Sequence, residues 1–466
     1  MKKGVKFLSV IFCCFVLCFA FSACSIQDVF GGGYKSAYQI AVDNGYSGTE
    51  EEWLKSFNSE QISLYDDAVA RGAFSGTFEE FLVYMANLSS VNNWTYASNK
   101  SIRSSVKITA FNNNETSGST GSGTIISYDT ETNIAHVLTC FHVIVDGSNK
   151  NGNYVKDNIK IFFYGNEDDD GSALTASFLG GTKWNDVAFV KVAITPSVWS
   201  KYNLSVSEIS TAEPTLQEVD AIGNSRGKGI NVVHCNVSKQ YDVCNISNVD
   251  GTKGTTKISV MRVNAVLQQG NSGGGLFDIN SKVVGIINSK ANVELKVADS
   301  YGDVTGNDEY NFSYAIPAST IKAIYDNVLN QIGGSVTSAT AKKYALGINM
   351  ATLVGGEHYT EVINGLVYPT SGVVLEETSG SIEKSVDEIR TATIVRGKEK
   401  IASIKIRNEM SLTNFMWYAK AGDKVIIGYK DNSTSTIKEY TYTIDERNLI
   451  TDISWFTTYS RDLTLC

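Results

Sequence analysis

The chain has 466 residues, of which 42% are hydrophobic and 19% are charged, and its net charge is −9 at pH 7. This length and ordinary globular composition are enough for about three domains. The negative charge argues against nucleic acid as a partner, because a phosphate backbone would repel it.

Residues 1–24 differ from the rest of the chain. Three lysines precede an apolar run over residues 7–21, whose one polar residue is Ser9, and Phe21-Ser22-Ala23-Cys24 closes the segment. A basic leader before an apolar run of this length is typical of an export signal. No later segment has the ~20 consecutive apolar residues that a membrane-spanning helix requires.

The end of this signal resembles the bacterial lipoprotein signal. That resemblance implies a signal peptide at residues 1–23 and a lipidated Cys24 as the mature N-terminus. It also implies an exported protein that is lipid-anchored at the cell membrane or cell surface. An ordinary secretory signal cleaved nearby, or an uncleaved anchor, is the alternative interpretation.

Residues 24–35 form a polar tether, and an internal repeat follows over residues 36–88. Each copy predicts a short amphipathic helix that ends at glycine, a Ser-Gly-Thr turn and a second short helix. The pattern is similar to small helical repeats of bacterial surface proteins and phage tail proteins, which implies a spacer or a contact with the cell wall or a partner protein. The aromatic residues that we expect in the core of the repeats are Tyr38, Trp53, Tyr65 and Phe81.

Residues 89–104 are rich in asparagine and serine and predict a linker. From residue 105 to residue 332, short β-rich runs alternate with turns rich in Asn, Gly and Asp. Many short strands at this spacing predict a mainly β sandwich or barrel.

A serine in a glycine-rich turn is the first candidate for catalysis. Ser272 lies in Gly270-Asn271-Ser272-Gly273-Gly274, between apolar runs over residues 261–267 and 283–288 that predict strands. A nucleophilic serine needs a histidine as base and a carboxylate that orients the histidine. His142, at the end of an apolar strand, and Asp186, at the head of another, are the candidates.

The chain order histidine, aspartate, serine belongs to the double β-barrel proteases. Here the chain resembles trypsin-like serine proteases of the bacterial HtrA/Deg family, over roughly residues 100–330. The segments that carry the resemblance are Thr139–Val143, Asp186–Val192, Ala221–Ser225, Gly270–Gly274 and Tyr314–Pro317. The resemblance implies a chymotrypsin-like double β-barrel at residues 105–332.

The resemblance also implies the roles of the site residues. Ser272 would attack a peptide carbonyl, His142 would accept and later donate the proton, and Asp186 would orient the imidazole. By motif position, the backbone N–H groups of Gly270 and Ser272 would form the oxyanion hole.

Substrate selection is expected at the strand after the nucleophile, over Gly285–Ser289, because a peptide could pair with it. By family position Ile287 and Asn288 would border the primary specificity pocket. No aspartate at the base of this pocket is evident, so we expect a small or medium apolar side chain before the cleaved bond.

A capped helix is predicted over Ser319–Leu329, and residues 333–342 form a glycine-containing linker. Residues 343–466 resemble a PDZ-like α+β domain, because Gly422–Ile427 is similar to a late strand of PDZ domains. Leu346-Gly347-Ile348 would then be the loop that binds a peptide carboxylate. An unrelated small αβ domain is the alternative.

Cysteine spacing argues against a structural metal, because Cys-x-x-Cys pairs are absent. No cofactor and no metal are expected. Cys235 and Cys244 could bridge a hairpin or remain buried free thiols.

These features predict an exported serine endopeptidase that cleaves misfolded or cell-envelope proteins through an acyl-enzyme. Protein or peptide substrates and the membrane would be its partners, and HtrA relatives are often homo-oligomers. A catalytically inactive surface scaffold and a chaperone-like holder of unfolded chains are the competing hypotheses.

Overall fold

The computed structural model describes most residues between 93 and 450. The described residues are 65, 69, 78 and 81 and the ranges 93–113, 115, 118–146, 155–247, 255–290, 312–346, 372–375, 379–383 and 387–450, with backbone alone for strands at 293–294, 308–309, 350–352, 360–363 and 366–369. The predicted signal with Cys24, the tether, Tyr38 and Trp53 lie outside the described residues. Contacts divide the chain into two units, Met1–Ala97 and Ser98–Cys466.

In the first unit, Tyr65 lies against two phenylalanines. Its ring centroid is 5.3 Å from that of Phe78 and 5.5 Å from that of Phe81, which is buried. Aromatic rings at this spacing are typical of a packed core. The contact agrees with the core role predicted for Tyr65 and Phe81, while the repeat architecture stays a prediction.

The segment predicted as a linker instead contains helix α1, Asn93–Ser104. Its later turns are rich in serine, yet Ser101 and Ser104 are fully buried. The Ser104 hydroxyl bonds the Ser101 carbonyl and the Ser207 hydroxyl, both at 2.8 Å. Because this hydroxyl is satisfied inside the protein, a polar sequence can form a packed helix.

The first barrel contains six antiparallel strands, β1 Ser105–Phe111, β2 Ser119–Asp129, β3 Ile134–Thr139, β4 Asn158–Phe163, β5 Leu174–Thr182 and β6 Val187–Ala193. They pair in the order β5-β4-β1-β2-β3-β6, and the barrel closes because β5 also pairs with β6. In β1 the buried residues Val106, Ile108 and Ala110 alternate with half-buried Lys107 and Thr109. That alternation is what a strand with one face in the barrel core requires. Short helices follow β3 and β6, α2 Phe141–Ile144 and α3 Pro196–Lys201.

The next part of the chain contains the strands β7 Glu218–Asn224, β8 Ile230–Ser247, β9 Thr255–Val263, β10 Gly275–Phe277, β11 Val283–Lys290, β12 Val293–Glu294, β13 Asp308–Glu309 and β14 Ser313–Pro317. Six of them form a second closed barrel in the order β10-β11-β14-β9-β8-β7, and β12 and β13 form a separate two-stranded sheet. The predicted mainly β fold with barrels is confirmed, and it is consistent with a chymotrypsin-like protease fold. The strand predicted over residues 261–267 ends at Val263, because the chain leaves the barrel there toward the nucleophile turn.

Cys235 and Cys244 are free thiols. Both lie on the single strand β8, nine positions apart, and an extended strand holds such residues roughly 30 Å apart along its axis. The bridge considered from the sequence is therefore absent from this structure.

Helix α4, Ala318–Leu329, leads to the C-terminal part of the chain. Its strands are β15 Ala339–Thr340, β16 Lys343–Tyr344, β17 Met350–Thr352, β18 Thr360–Ile363, β19 Leu366–Pro369, β20 Val373–Leu375, β21 Glu388–Arg396, β22 Glu399–Lys405, β23 Lys424–Asp431, β24 Thr436–Thr443 and β25 Leu449–Ile450. The main sheet has the order β17-β20-β21-β23-β24, with β22 on β21. Helix α5, Met410–Phe415, continues into a 3₁₀ turn, Met416–Tyr418.

Helix α5 and its 3₁₀ turn connect two cores. Leu412, Phe415 and Met416 belong to the core of the C-terminal sheet, whereas the fully buried Trp417 belongs to the core of the barrels.

Within the described part of the chain, no helix has the length and apolar character needed to cross a membrane. The PDZ-like assignment remains a prediction.

Candidate active site

His142 lies just after the end of strand β3 of the first barrel. Strand β3 ends at Thr139, Cys140 is buried, and His142 is the second residue of the short helix α2. The flanking residues Phe141 and Val143 are buried, whereas 36% of the His142 side chain is exposed. The two buried neighbours thus hold the backbone of His142 in place, while its imidazole remains accessible at the surface of the site.

Asp186 holds the inner side of this imidazole. It lies in the tight turn before β6 and is 1% exposed. One carboxylate oxygen is 2.6 Å from His142 Nδ1, and the other accepts from the His142 backbone N–H at 2.8 Å. The carboxylate thus fixes both the backbone and the ring of His142, and leaves Nε2 as the free ring nitrogen for a reacting proton.

Two opposing effects act on the pKa of His142. Burial lowers the pKa, because it disfavours the charged ring, whereas the charge of Asp186 and the hydrogen bond to it raise the pKa. The net result is a pKa above the ordinary histidine value. This imidazole is therefore suited to hold a proton beside a buried carboxylate.

Ser272 lies in a turn that requires glycine at two positions, 270 and 273. Gly270 and Gly273 have φ of +94° and +85°, a region that side chains disfavour. A Cβ on Gly273 would also lie 2.3 Å from the Ser122 carbonyl oxygen. The Ser272 carbonyl accepts from the Ser122 N–H at 2.9 Å, so the turn is fastened to β2 across the two barrels.

The Ser272 hydroxyl donates to the Asn288 carbonyl at 3.2 Å. Asn288 in turn donates from its side-chain amide to Asp186 at 2.6 Å. One residue of β11 thus contacts both the predicted nucleophile and the predicted carboxylate. No hydrogen bond joins Ser272 to His142 here, so the pair contact expected from the sequence is absent from this arrangement.

The backbone around the predicted oxyanion hole has a defined orientation. The Gln269 carbonyl accepts from the Arg226 N–H at 2.7 Å, and the Gly270 carbonyl accepts from the Ser122 hydroxyl at 2.7 Å. A trans peptide points its N–H opposite to its carbonyl, so the Gly270 N–H points away from Arg226. Among the described residues, no backbone acceptor bonds the N–H of Gly270 or of Ser272.

Asn288 has a role that the sequence did not predict. Its side chain is buried and bonds Asp186, whereas its predicted place at the border of the specificity pocket stays a prediction. Ile287 is 3% exposed and packs into the core of the second barrel, while its N–H bonds the Gly274 carbonyl at 2.8 Å. The only sequence signal for Asn288 was its place on the strand after the nucleophile.

The buried Cys140 completes this cluster. Its thiol donates to the Ile287 carbonyl at 3.3 Å, and burial raises its pKa well above the ordinary value. Among the described residues, Cys140, His142 and Asp186 form the group whose possible metal-ligand atoms lie within 4.8 Å of one another. The 2.6 Å separation of His142 and Asp186 is that of a hydrogen bond, whereas two ligands on one tetrahedral ion stand roughly 3.3 Å apart.

The other histidines and predicted sites fall elsewhere. His136 bonds the Tyr325 hydroxyl at 2.6 Å, in line with the structural role expected for it. His234, for which no partner was predicted, lies 2.8 Å from Asp220. Leu346 is buried, and Gly347 and Ile348 lie outside the described residues, as does Cys24.

Comparison with protein-family models matches residues 121–286 to a trypsin-like peptidase domain. The chain contains a trypsin-like peptidase domain. The match includes His142, Asp186 and Ser272, and it ends within β11.

Curated relatives agree with this domain. The serine protease Do-like HtrA of Bacillus subtilis strain 168 is 25% identical over 332 residues, covering 68% of this chain and 63% of the relative. The serine protease Do-like HtrA of Lactococcus lactis subsp. cremoris is 23% identical over 326 residues, covering 68% and 69%. The chain thus spans just under two thirds of the length of the Bacillus relative. This similarity supports a peptidase function.

Among solved structures, the HtrA-type protease AlgW with a tripeptide matches 77% of this chain and 98% of its own, with 17% identity and a TM-score of 0.44. The serine endoprotease from Yersinia pestis matches 75% and 97%, with 17% identity and a TM-score of 0.41.

Proposed function

We propose that this protein is a serine endopeptidase that hydrolyses peptide bonds of protein substrates through an acyl-enzyme on Ser272. The single observation that carries the proposal is the 2.6 Å contact between His142 and the buried Asp186, inside a trypsin-like peptidase domain. Asn288 supports it, because it bonds both Asp186 and Ser272.

In the reaction, the Ser272 hydroxyl leaves the Asn288 carbonyl and turns to His142 Nε2. It attacks the substrate carbonyl carbon while Nε2 takes its proton, and the protonated imidazole then donates that proton to the leaving amine. Asp186 stays ionised and stabilises the imidazolium. Water then repeats the sequence on the ester, which releases the second product and restores the serine.

The tetrahedral intermediate carries a negative oxygen, which requires donors in place before the reaction. We assign these donors to the N–H groups of Gly270 and Ser272. The Arg226–Gln269 hydrogen bond supports a preformed hole, because it holds the Gln269 carbonyl toward Arg226 and so points the Gly270 N–H the opposite way. Loss of one such donor costs about 100- to 1,000-fold in rate in enzymes generally.

The test is labelling of the signal-free protein with a fluorophosphonate probe, together with cleavage of casein. We expect wild type to label and cut, and Ser272→Ala to do neither. Ser197→Ala is the matched control, because Ser197 is an exposed serine on α3. If wild type stays unlabelled, even with added C-terminal peptides, the inactive-scaffold hypothesis replaces this one.

We further propose export and lipid anchoring through Cys24, with misfolded or cell-envelope proteins as substrates. The support is the sequence of the leader, which lies outside the described residues. Metabolic labelling with an alkyne-tagged fatty acid should mark the wild-type protein in a bacterial host and leave Cys24→Ser unmarked. Equal labelling of both proteins would refute the assignment.

A PDZ-like peptide site in residues 343–466 is the remaining part of the proposal. Its support is the resemblance of Leu346-Gly347-Ile348 to a carboxylate-binding loop and the edge position of β17 in its sheet. An edge strand can accept a peptide as an added strand. Fluorescence anisotropy should detect binding of a peptide with a free C-terminus and no binding of the same peptide amidated. Equal binding of both would exclude carboxylate recognition.

A further inference from the structure

The residue before Asp186 is held by the C-terminal part of the chain. Asn185 is 3% exposed. Its side-chain oxygen accepts from the Trp417 indole N–H at 3.1 Å, and its amide nitrogen donates to the Asn414 side-chain oxygen at 3.1 Å. Both ends of the Asn185 side chain are thus bonded to residues more than 220 positions away in sequence.

Trp417 is itself fixed in place. It is 1% exposed, and its carbonyl accepts from the Asn327 side chain on α4 at 2.7 Å. The Trp184 ring is roughly parallel to the indole, with centroids 6.3 Å apart. Because a buried indole with these contacts occupies one orientation, its N–H holds Asn185 at a defined position.

The turn beside Asn185 has an uncommon backbone conformation. Asp186 has φ of +53°, in the left-handed region, which aspartate adopts more readily than most residues but which is uncommon outside glycine. The Asp186 N–H bonds the Lys183 carbonyl at 3.3 Å, and the Asp186 carbonyl accepts from the Phe141 N–H at 3.2 Å. Since Asn185 adjoins Asp186 in the chain, a shift of Asn185 moves the carboxylate of Asp186.

We propose that Asn414 and Trp417 are positioning residues for Asp186, so that α5 and its 3₁₀ turn set the geometry of the catalytic pair from outside the peptidase domain. This inference rests on the proposed function. The reason is distance: misplacing a catalytic group by 1 Å costs about 100-fold in rate. The Asp186 carboxylate has to meet both the His142 backbone and the ring.

The experiment compares Trp417→Phe and Asn414→Ala with wild type, by steady-state cleavage of a fluorogenic peptide across pH. Trp417→Phe keeps an aromatic ring and removes the N–H donor. Ser259→Ala is the matched control, because the Ser259–Asn408 hydrogen bond of 3.2 Å is another buried contact between the second barrel and the C-terminal part. Circular dichroism and thermal melting report whether each variant folds.

We expect Trp417→Phe to lower kcat about 10-fold or more, with KM unchanged because β11 is untouched, and Asn414→Ala to do so less strongly. The acidic limb of the pH profile should move to lower pH, since a displaced carboxylate no longer raises the pKa of His142. Ser259→Ala should retain the wild-type kcat and limb.

Two results would overturn the inference. The first is a folded Trp417→Phe protein with wild-type kcat and pH limb. The second is a fall in kcat that matches the loss of folded protein and leaves the limb in place, which indicates a structural role alone. An inactive wild-type protein would instead overturn the proposed function, and this inference with it.

Discussion

The second barrel contains a histidine–aspartate pair that closely resembles the one in the candidate site. His142 Nδ1 is 2.6 Å from Asp186, and His234 Nδ1 is 2.8 Å from Asp220. Both carboxylate side chains are 2% exposed. Each histidine also has a buried cysteine nearby in the chain, Cys140 and Cys235 respectively.

The two pairs differ in what surrounds them. Asp186 accepts from the Asn288 amide, and Asn288 accepts from Ser272. Asp220 instead bonds the Ser98 hydroxyl, so that the carboxylate lies between serine and histidine. A serine on the far side of the carboxylate cannot give its proton to the imidazole, so a histidine paired with a buried aspartate is insufficient for a catalytic assignment.

The sharpest test replaces each aspartate by asparagine. Asp186→Asn should lower kcat about 10,000-fold, because an amide favours the wrong tautomer of His142. Asp220→Asn should leave the rate of casein cleavage at the wild-type value. Similar losses in both variants, with both proteins folded, would remove the distinction between the pairs.

The second difference between the two histidine–aspartate pairs is the other residue that bonds each carboxylate, Asn288 at Asp186 and Ser98 at Asp220. Asn288→Ala removes the hydrogen bond to Asp186, and such bonds to charged groups are worth about 1.5–3 kcal/mol. We therefore expect kcat to fall about 10- to 100-fold in fluorogenic peptide assays. Ser98→Ala is the corresponding variant at Asp220 and should leave kcat unchanged. An Asn288→Ala enzyme with wild-type kcat would mean that Asp186 is held in place without Asn288.

The pH dependence of kcat/KM should report His142 alone. The imidazole must be neutral to accept the serine proton, and Asp186 raises its pKa. Activity should therefore rise with pH through a midpoint above about 6.5, the ordinary histidine value. His234→Gln should leave this midpoint unchanged. A midpoint at or below the ordinary value would contradict the coupling to Asp186.

The smallest effect is expected at the thiols beside the two pairs. Burial raises the pKa of Cys140 well above its usual range and that of Cys235 to about 12, so both stay protonated at pH 8. Iodoacetamide, which reacts with thiolates, should modify neither in the native protein and both after unfolding, as read by peptide mass mapping. Native alkylation of Cys140 with loss of activity would show an accessible thiolate instead.

Local signals predicted the barrels and the candidate residues. Alternating apolar residues give strands such as β1, and the glycines around Ser272 give a turn that requires positive φ. Where side chains make contacts far along the chain, local patterns predicted the wrong element or none. Helix α1 lies in a serine-rich segment whose sequence predicts a linker. The helix is packed because Ser104 bonds Ser207, which is 103 residues away in the chain.

The sequence by itself determined the order of histidine, aspartate and serine, the turn chemistry at Gly270 and Gly273, and the strand periodicity of both barrels. Only the tertiary structure decided that Asn288 contacts Asp186, that His234 pairs with Asp220, and that Trp417 holds Asn185. The physical reason is range. Backbone conformation and periodicity depend on neighbours in the chain, whereas a buried amide or carboxylate bonds whichever partner folding brings within about 3 Å.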